Sequence, residues 1–100
     1  MTHEQTKGKT IKESFDEFDS LNPQIYTAFK REVLKAVNCG KKKLSSKAII
    51  NYLRWEMFLN TSSTDEFKIN DGYTAYYSRK FIEEYPNFEN LFEFRKIRAT

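Results

Sequence analysis

The chain has 100 residues, of which 39% are hydrophobic and 31% are charged, and its formal net charge at pH 7 is +3. This length allows one domain, and the composition is typical of a globular protein and not of a disordered one. No apolar run approaches the roughly 20 residues that a membrane-spanning helix needs, and the polar N-terminus has no signal-peptide core. We therefore expect an intracellular protein with no membrane partner.

The charge is unevenly distributed along the chain. Residues 1–20 carry three lysines against five carboxylates, whereas residues 21–100 carry fourteen Lys or Arg against nine Asp or Glu. A basic body behind an acidic leader suits an anionic partner. Residues 1–12 have no periodic apolar pattern, which predicts a flexible polar tail ahead of one compact helical domain over residues 13–100.

The start of that domain has a weak helical signal. Phe15, Phe18 and Leu21 are spaced by three residues. This spacing predicts one or two helical turns, or a segment laid against the main core.

The strongest helical signal covers residues 23–38. Asn22 is a good N-cap, Pro23 suits the first helical position, and Gly40 can adopt a left-handed conformation after the helix. The predicted core stripe of this helix consists of Ile25, Tyr26, Phe29, Val33, Ala36 and Val37.

A second helix is predicted to begin at a cap on Ser45 or Ser46 and to run to about Leu59. The residues expected to face inward are Ile49, Ile50, Leu53, Met57 and part of Trp55. On this pattern Lys47, Asn51 and Arg54 stay exposed.

The C-terminal half predicts a third helix and two short strands. Asp71 or Thr74 caps the helix, which runs to about Tyr85 because Pro86 stops it. Its predicted core face consists of Tyr73, Tyr77, Phe81 and Tyr85. Apolar residues alternate with charged ones in 66–69 and 92–95, which predicts two strands that pair. The fold class is thus mainly α: a three-helix helix-turn-helix or winged-helix-like domain with a small two-stranded β element.

Catalytic and metal chemistry find little support in the sequence. One His, in the tail, and one Cys cannot form an ordinary zinc site, and no nucleophile motif or phosphate-binding glycine loop is present. We expect no metal, no cofactor and no catalysis. A small magnesium-dependent nuclease using Glu66 and Lys68 is an open alternative, although the second acidic site it needs is missing.

Cations interleaved with aromatic residues are the remaining functional signal. If the aromatic stripe of the third helix faces the core, its N-terminal polar residues and cations are free to contact a DNA groove or phosphates. Against this, Arg79 and Glu83 form a helical i,i+4 pair. The lysines that follow Gly40 favour an anionic partner nonetheless. The predicted nucleic-acid-binding residues are Lys41, Lys42, Lys43, Lys47, Arg54, Lys68, Thr74, Tyr76, Ser78, Arg79 and Lys80.

Three stretches resemble a group of small phage and prophage proteins of unknown function with a helix-turn-helix-like core. They are "FDEF…NPQIYTAFKREVLKAV", "LSSKAIINYLRWE" and "FKINDGYTAYYSRKFIEEYPNFENLFEFRK", and the likeness covers roughly residues 14–98. The resemblance implies a phage or prophage origin and, with it, the cytoplasm of a bacterial host. It implies no particular activity.

Two functions from different classes follow for such a protein. The first is a non-catalytic, regulatory role as a DNA-binding protein, acting as a monomer or a homodimer. The alternative is an inhibitor of the anti-CRISPR or anti-restriction type, which binds a host nucleic-acid-binding protein by protein–protein contact. The basic charge of the chain disfavours nucleic-acid mimicry over its whole surface, although the acidic leader suits a basic host surface.

Overall fold

The computed structural model describes residues 10–60 and 69–92, and these form a mainly helical fold, as predicted. Its helices are α1 (Ile11–Leu21), α2 (Pro23–Asn38), α3 (Ser46–Asn60) and α4 (Thr74–Glu84). Single 3-10 turns cover Asp71–Tyr73 and Pro86–Phe88. None of the helices in the described ranges is long and apolar enough to cross a membrane.

Helix α1 is the element that the sequence predicted least well. It begins at Ile11, two residues before the predicted start of the domain, and it adds a fourth helix to the three expected. A capping box starts it: the Thr10 hydroxyl accepts from the Glu13 N–H at 3.1 Å, and the Thr10 N–H donates to Glu13 Oε1 at 2.9 Å. Phe15 is buried against the core, whereas Leu21 is 72% exposed.

Helix α2 has the predicted bounds, although one of its predicted caps is wrong. The Asn22 side chain does not cap the helix, because its amide donates to the Phe18 carbonyl of α1 at 3.0 Å. Pro23 occupies the first helical position. At the other end Gly40 has φ +92°, the left-handed conformation predicted for it, and this turn leads the chain into the lysines that follow.

Helices α3 and α4 lie close to their predicted ranges. Ser45 Oγ accepts from the Ala48 N–H at 3.1 Å at the start of α3, as expected of a cap. Trp55, predicted to face partly inward, is 57% exposed. Before α4, Asn70 Oδ1 accepts from the Gly72 N–H at 2.7 Å, so helical backbone begins in the 3-10 turn ahead of Thr74.

Phe29 of α2 lies at the centre of the core. Its ring stacks on Tyr77 at a centroid distance of 5.8 Å and on Phe92 at 6.0 Å. The fully buried side chains are Ile25, Phe29, Val33, Ile50, Leu53, Tyr77, Ser78 and Phe81. The predicted stripes of α2 and α4 are therefore the core faces of those helices, with Tyr85 half-buried at the edge.

The predicted two-stranded sheet lies mostly outside the described residues, which exclude 66–68 and 93–95. Within 10–60 and 69–92 no strand forms. Phe92 makes an isolated parallel bridge with Leu44, whose N–H donates to the Leu91 carbonyl at 2.8 Å. This bridge joins the segment after α2 to the segment after α4.

Candidate nucleic-acid interface

The lysine segment between α2 and α3 is held against the C-terminal part of the described chain. The Lys43 ammonium donates to the Asn90 carbonyl at 3.1 Å, next to the bridge between Leu44 and Phe92. Lys41, Lys42 and Lys43 are all exposed. The segment therefore presents its cations from a fixed place on the fold.

An open groove lies between this segment and the residues that follow α4. It has a volume of about 230 Å³, and its lining includes both apolar and polar side chains. The apolar lining is Val37, Phe88 and Leu91; the polar lining is Lys41, Lys42, Asn87 and Asn90. We call these seven residues the lysine groove.

The polar lining of the lysine groove suits an anion. None of the described carboxylates forms an ion pair with Lys41 or Lys42, so both ammonium groups are available to a ligand. Asn87 and Asn90 each add an amide that can donate to an oxyanion. Glu89 is exposed and lies between Asn87 and Asn90 in the chain, so it is the carboxylate nearest to these asparagines in sequence and would repel an anion. Sequence reasoning found the lysines but missed both asparagines, because only the fold brings them together.

Helix α1 packs against one flank of α4 and contacts two residues that are predicted to bind DNA, Tyr76 and Lys80. Tyr76 is half-buried and stacks on Phe15 at 5.4 Å between ring centroids. The Lys80 ammonium forms an ion pair with Asp19 and lies 4.4 Å from the centroid of the Tyr26 ring. Both side chains thus serve contacts within the fold, because residues 11–20 of the acidic leader belong to the docked helix α1; residues 1–9 of the predicted tail lie outside the described residues.

The other predicted residues of α4 are placed unevenly. Ser78 is fully buried, and its hydroxyl donates to the Thr74 carbonyl at 3.4 Å, so it cannot reach a partner. Thr74 is half-buried. Arg79 is exposed, and its guanidinium lies 5.5 Å from the centroid of the Tyr76 ring. Arg79 is therefore the most accessible predicted cation on this helix.

Arg54, predicted to hold a DNA backbone, instead clamps α3 to the start of the 3-10 turn. Its guanidinium donates to Asn51 Oδ1 at 2.7 Å, to Asp71 Oδ1 at 2.6 Å and to the Ile69 carbonyl. The guanidinium beside Asp71 holds the pKa of that carboxyl below its usual range, with a smaller contribution from the charge of Lys47. Lys47 is exposed, and Lys68 lies outside the described residues.

Replacing Arg54 by Ala is expected to lower the free energy of unfolding by about 1–2 kcal/mol, because the Ile69 carbonyl loses its charged donor. Asp71→Asn is the matched control: it removes one charge but leaves the bond to Ile69, so its effect should be smaller. Urea denaturation of both variants measures the difference. Equal losses for the two variants would contradict the clamp to Ile69.

A second polar cluster joins α1, α2 and α4 on the other side of the core. The Tyr26 hydroxyl donates to Glu84 Oε1 at 2.6 Å, and the Lys30 ammonium pairs with Glu84 Oε2 at 3.1 Å. These two donors hold the pKa of Glu84 below its usual range. Burial raises the pKa of Tyr77, whose hydroxyl has no hydrogen-bond partner among the described residues.

Loss of the hydroxyl should change the free energy of unfolding differently at Tyr26 and at Tyr77. Tyr26→Phe is expected to destabilise the fold by about 1–2 kcal/mol, because it removes a bond to a carboxylate. Tyr77→Phe should be neutral or stabilising by up to about 1 kcal/mol, because the hydroxyl it removes is buried without a protein partner. Urea denaturation at pH 7 tests both, and a loss of stability in Tyr77→Phe comparable to that in Tyr26→Phe would contradict the prediction.

The expected absence of catalysis and of a bound metal, and the nuclease alternative, all stay predictions. Glu66 and Lys68, the residues of the nuclease hypothesis, lie outside the described part of the chain. Across 10–60 and 69–92, no group of three or more His, Cys, Asp or Glu side chains is placed to hold a metal ion.

No family model, curated protein or solved structure matches the chain. The resemblance to small phage and prophage proteins therefore stays a prediction.

Proposed function

We propose that the chain is a non-catalytic DNA-binding protein of phage or prophage origin, and that the lysine groove is where it holds the DNA backbone. The observation that carries the proposal is that Lys41 and Lys42, which pair with none of the described carboxylates, line one open groove together with Asn87 and Asn90. Lysine and amide side chains are common donors to phosphate oxygens in DNA complexes.

The charge distribution of the described residues supports this choice of surface. Most other basic side chains of α2 and α4 form ion pairs within the fold: Lys30 with Glu84, Arg31 with Glu32 and Glu56, Lys35 with Glu32, and Lys80 with Asp19. No described carboxylate pairs with Lys41 or Lys42, which favours the groove over the surfaces of α2 and α4 as the place where a polyanion binds.

The proposal changes the role expected of α4. A winged-helix protein would insert this helix in the major groove, but α1 occupies the flank that carries Tyr76 and Lys80. In the proposed complex the exposed Arg79 lies beside the duplex, and the lysine groove fixes the protein on the phosphates. The wing, predicted from 66–69 and 92–95, belongs to the same proposal.

The salt dependence of binding tests this function. Fluorescence anisotropy of a labelled generic duplex, titrated with the full chain at several salt concentrations, should give an affinity that falls linearly on logarithmic axes. A slope of about −2 to −4 corresponds to two to four phosphate contacts. Absence of binding at low salt, or an affinity that does not change with salt, would contradict the proposal.

A further inference from the structure

Helix α3 has an apolar face directed away from the core. Tyr52, Trp55 and Leu59 are 46%, 57% and 60% exposed, and Ala48 is also exposed. At about 100° per residue these four positions share one face within an arc of about 60°, opposite the buried Ile50 and Leu53. We call Ala48, Tyr52, Trp55 and Leu59 the outer stripe.

The outer stripe has the spacing of a helix-pairing seam. Its members are separated by four, three and four residues, the alternation that places side chains of one helix between those of another. Phe58, 62% exposed, flanks the stripe, and its ring lies 5.8 Å from that of Trp55 between centroids. A surface helix normally carries polar residues on its outer face, so this pattern calls for a partner.

We propose that the outer stripe is a homodimer interface, in which α3 packs antiparallel against α3 of a second copy of this chain. This inference goes beyond the proposed DNA binding and does not depend on it. An isologous contact requires a surface that is complementary to itself. The outer stripe meets that requirement when the two-fold axis passes between positions 53 and 54.

In this register each side chain of the outer stripe packs against a side chain of a different type. Tyr52 lies opposite Trp55 of the second copy, and Ala48 lies opposite Leu59. The two small–large pairs at the ends and the two aromatic pairs in the middle fill the seam without leaving two bulky residues of one kind face to face. A parallel arrangement would instead place Ala48 opposite Ala48 and Trp55 opposite Trp55.

One charge contact favours the same orientation. The antiparallel pair brings Lys47 of each copy to the C-terminal end of the other α3, where the helix dipole is negative.

The exposed apolar area approaches what such an interface needs. A fully covered aromatic side chain buries about 150–250 Å², so the half-exposed residues of this face leave on the order of 400 Å² per protomer. A stable interface buries about 800 Å² per partner, of which somewhat more than half is apolar. The polar residues beside the stripe on α3, such as Asn51 and Asn60, supply the remaining rim.

Sedimentation equilibrium of the full chain from about 1 μM to about 1 mM tests the proposal, a range that covers weak and moderate dimers. The mass of the parent is expected to rise from the 11.9 kDa of one protomer to twice that value. Trp55→Ser should weaken dimerisation roughly 100-fold or more, because each substitution removes a central aromatic residue twice. Leu21→Ser, an equally apolar and 72% exposed position on α1, is the matched control and should dimerise like the parent.

Three results would overturn the dimer: a parent that stays at the protomer mass at all concentrations, a Trp55→Ser variant that dimerises like the parent, or a mass that climbs past two protomers. Far-UV circular dichroism of each variant establishes that it is folded. Because the DNA titration of the preceding section is independent, failure of the dimer leaves the lysine groove untouched.

Disulfide formation tests the antiparallel register. The one native cysteine, Cys39, is exposed and is first removed by Cys39→Ser. In that background, a chain carrying both Ala48→Cys and Leu59→Cys is expected to form a covalent dimer on oxidation, because these positions meet across the axis. Each single-cysteine chain should stay uncrosslinked, and a covalent dimer of Ala48→Cys alone would overturn the register.

Discussion

Replacing Lys41 and Lys42 together by Gln is expected to lower the affinity for duplex DNA roughly 50-fold at 0.1 M salt, because each lost phosphate contact removes a factor of about 8. The logarithmic salt slope should become less negative by about 2. The loss should be similar for duplexes of different sequence, since phosphate contacts carry no sequence information. Fluorescence anisotropy measures both quantities.

The control for this variant changes the same net charge elsewhere. Lys12 and Lys35 are exposed lysines outside the groove, and each is paired with a carboxylate of its own helix, Asp16 and Glu32. Lys12→Gln with Lys35→Gln also lowers the net charge by two, so a purely long-range effect of charge would weaken binding equally in both. We expect the control to lose much less affinity. Equal losses would refute the lysine groove as a specific contact.

Truncating Phe29 should have the largest effect on stability of any single change in the described chain. Phe29→Ala is expected to cost about 3–5 kcal/mol, because it removes a fully buried ring and leaves a cavity between Tyr77 and Phe92. A chain of this length has only about 5–15 kcal/mol of stability in total. Urea denaturation of this variant should therefore begin close to zero denaturant.

Two further variants make that measurement decisive. Phe29→Leu keeps most of the volume and should cost less than Phe29→Ala, which preserves a measurable transition if the alanine variant does not fold. Leu21→Ala, on the exposed end of α1, should change the free energy of unfolding by less than about 0.5 kcal/mol. Similar losses for Phe29→Ala and Leu21→Ala would contradict the position of the core.

The sequence predicts the helices well where local signals agree with the packing. The bounds of α2 follow from Pro23 and Gly40, and the core faces of α2 and α4 follow from the spacing of their apolar residues. Helix α1 was under-predicted because its capping box, Thr10 with Glu13, lies in a stretch with only one strong apolar anchor, Phe15.

The candidate site is predicted less completely, because it depends on contacts between distant segments. The lysines after Gly40 are visible in the sequence, but Asn87 and Asn90 join them only through the bridge between Leu44 and Phe92. The ion pair of Lys80 is hidden from the sequence for a related reason, since nothing local shows that Asp19 lies beside it.

The periodicity of α3 does not show which of its two faces is buried. Its core face and its outer stripe are both apolar, so the sequence pattern alone assigned Trp55 partly to the core. The structure separates the two faces, and the exposed outer stripe is the basis of the proposed dimer.

The most direct test of the lysine groove is a titration of the isotopically labelled chain with duplex DNA, followed by nuclear magnetic resonance. We expect the largest chemical-shift changes at the backbone amides of Lys41 and Lys42 and at the side-chain amides of Asn87 and Asn90, with smaller changes around Arg79. Changes concentrated on residues 74–80 of α4, or no changes at low salt, would contradict the account.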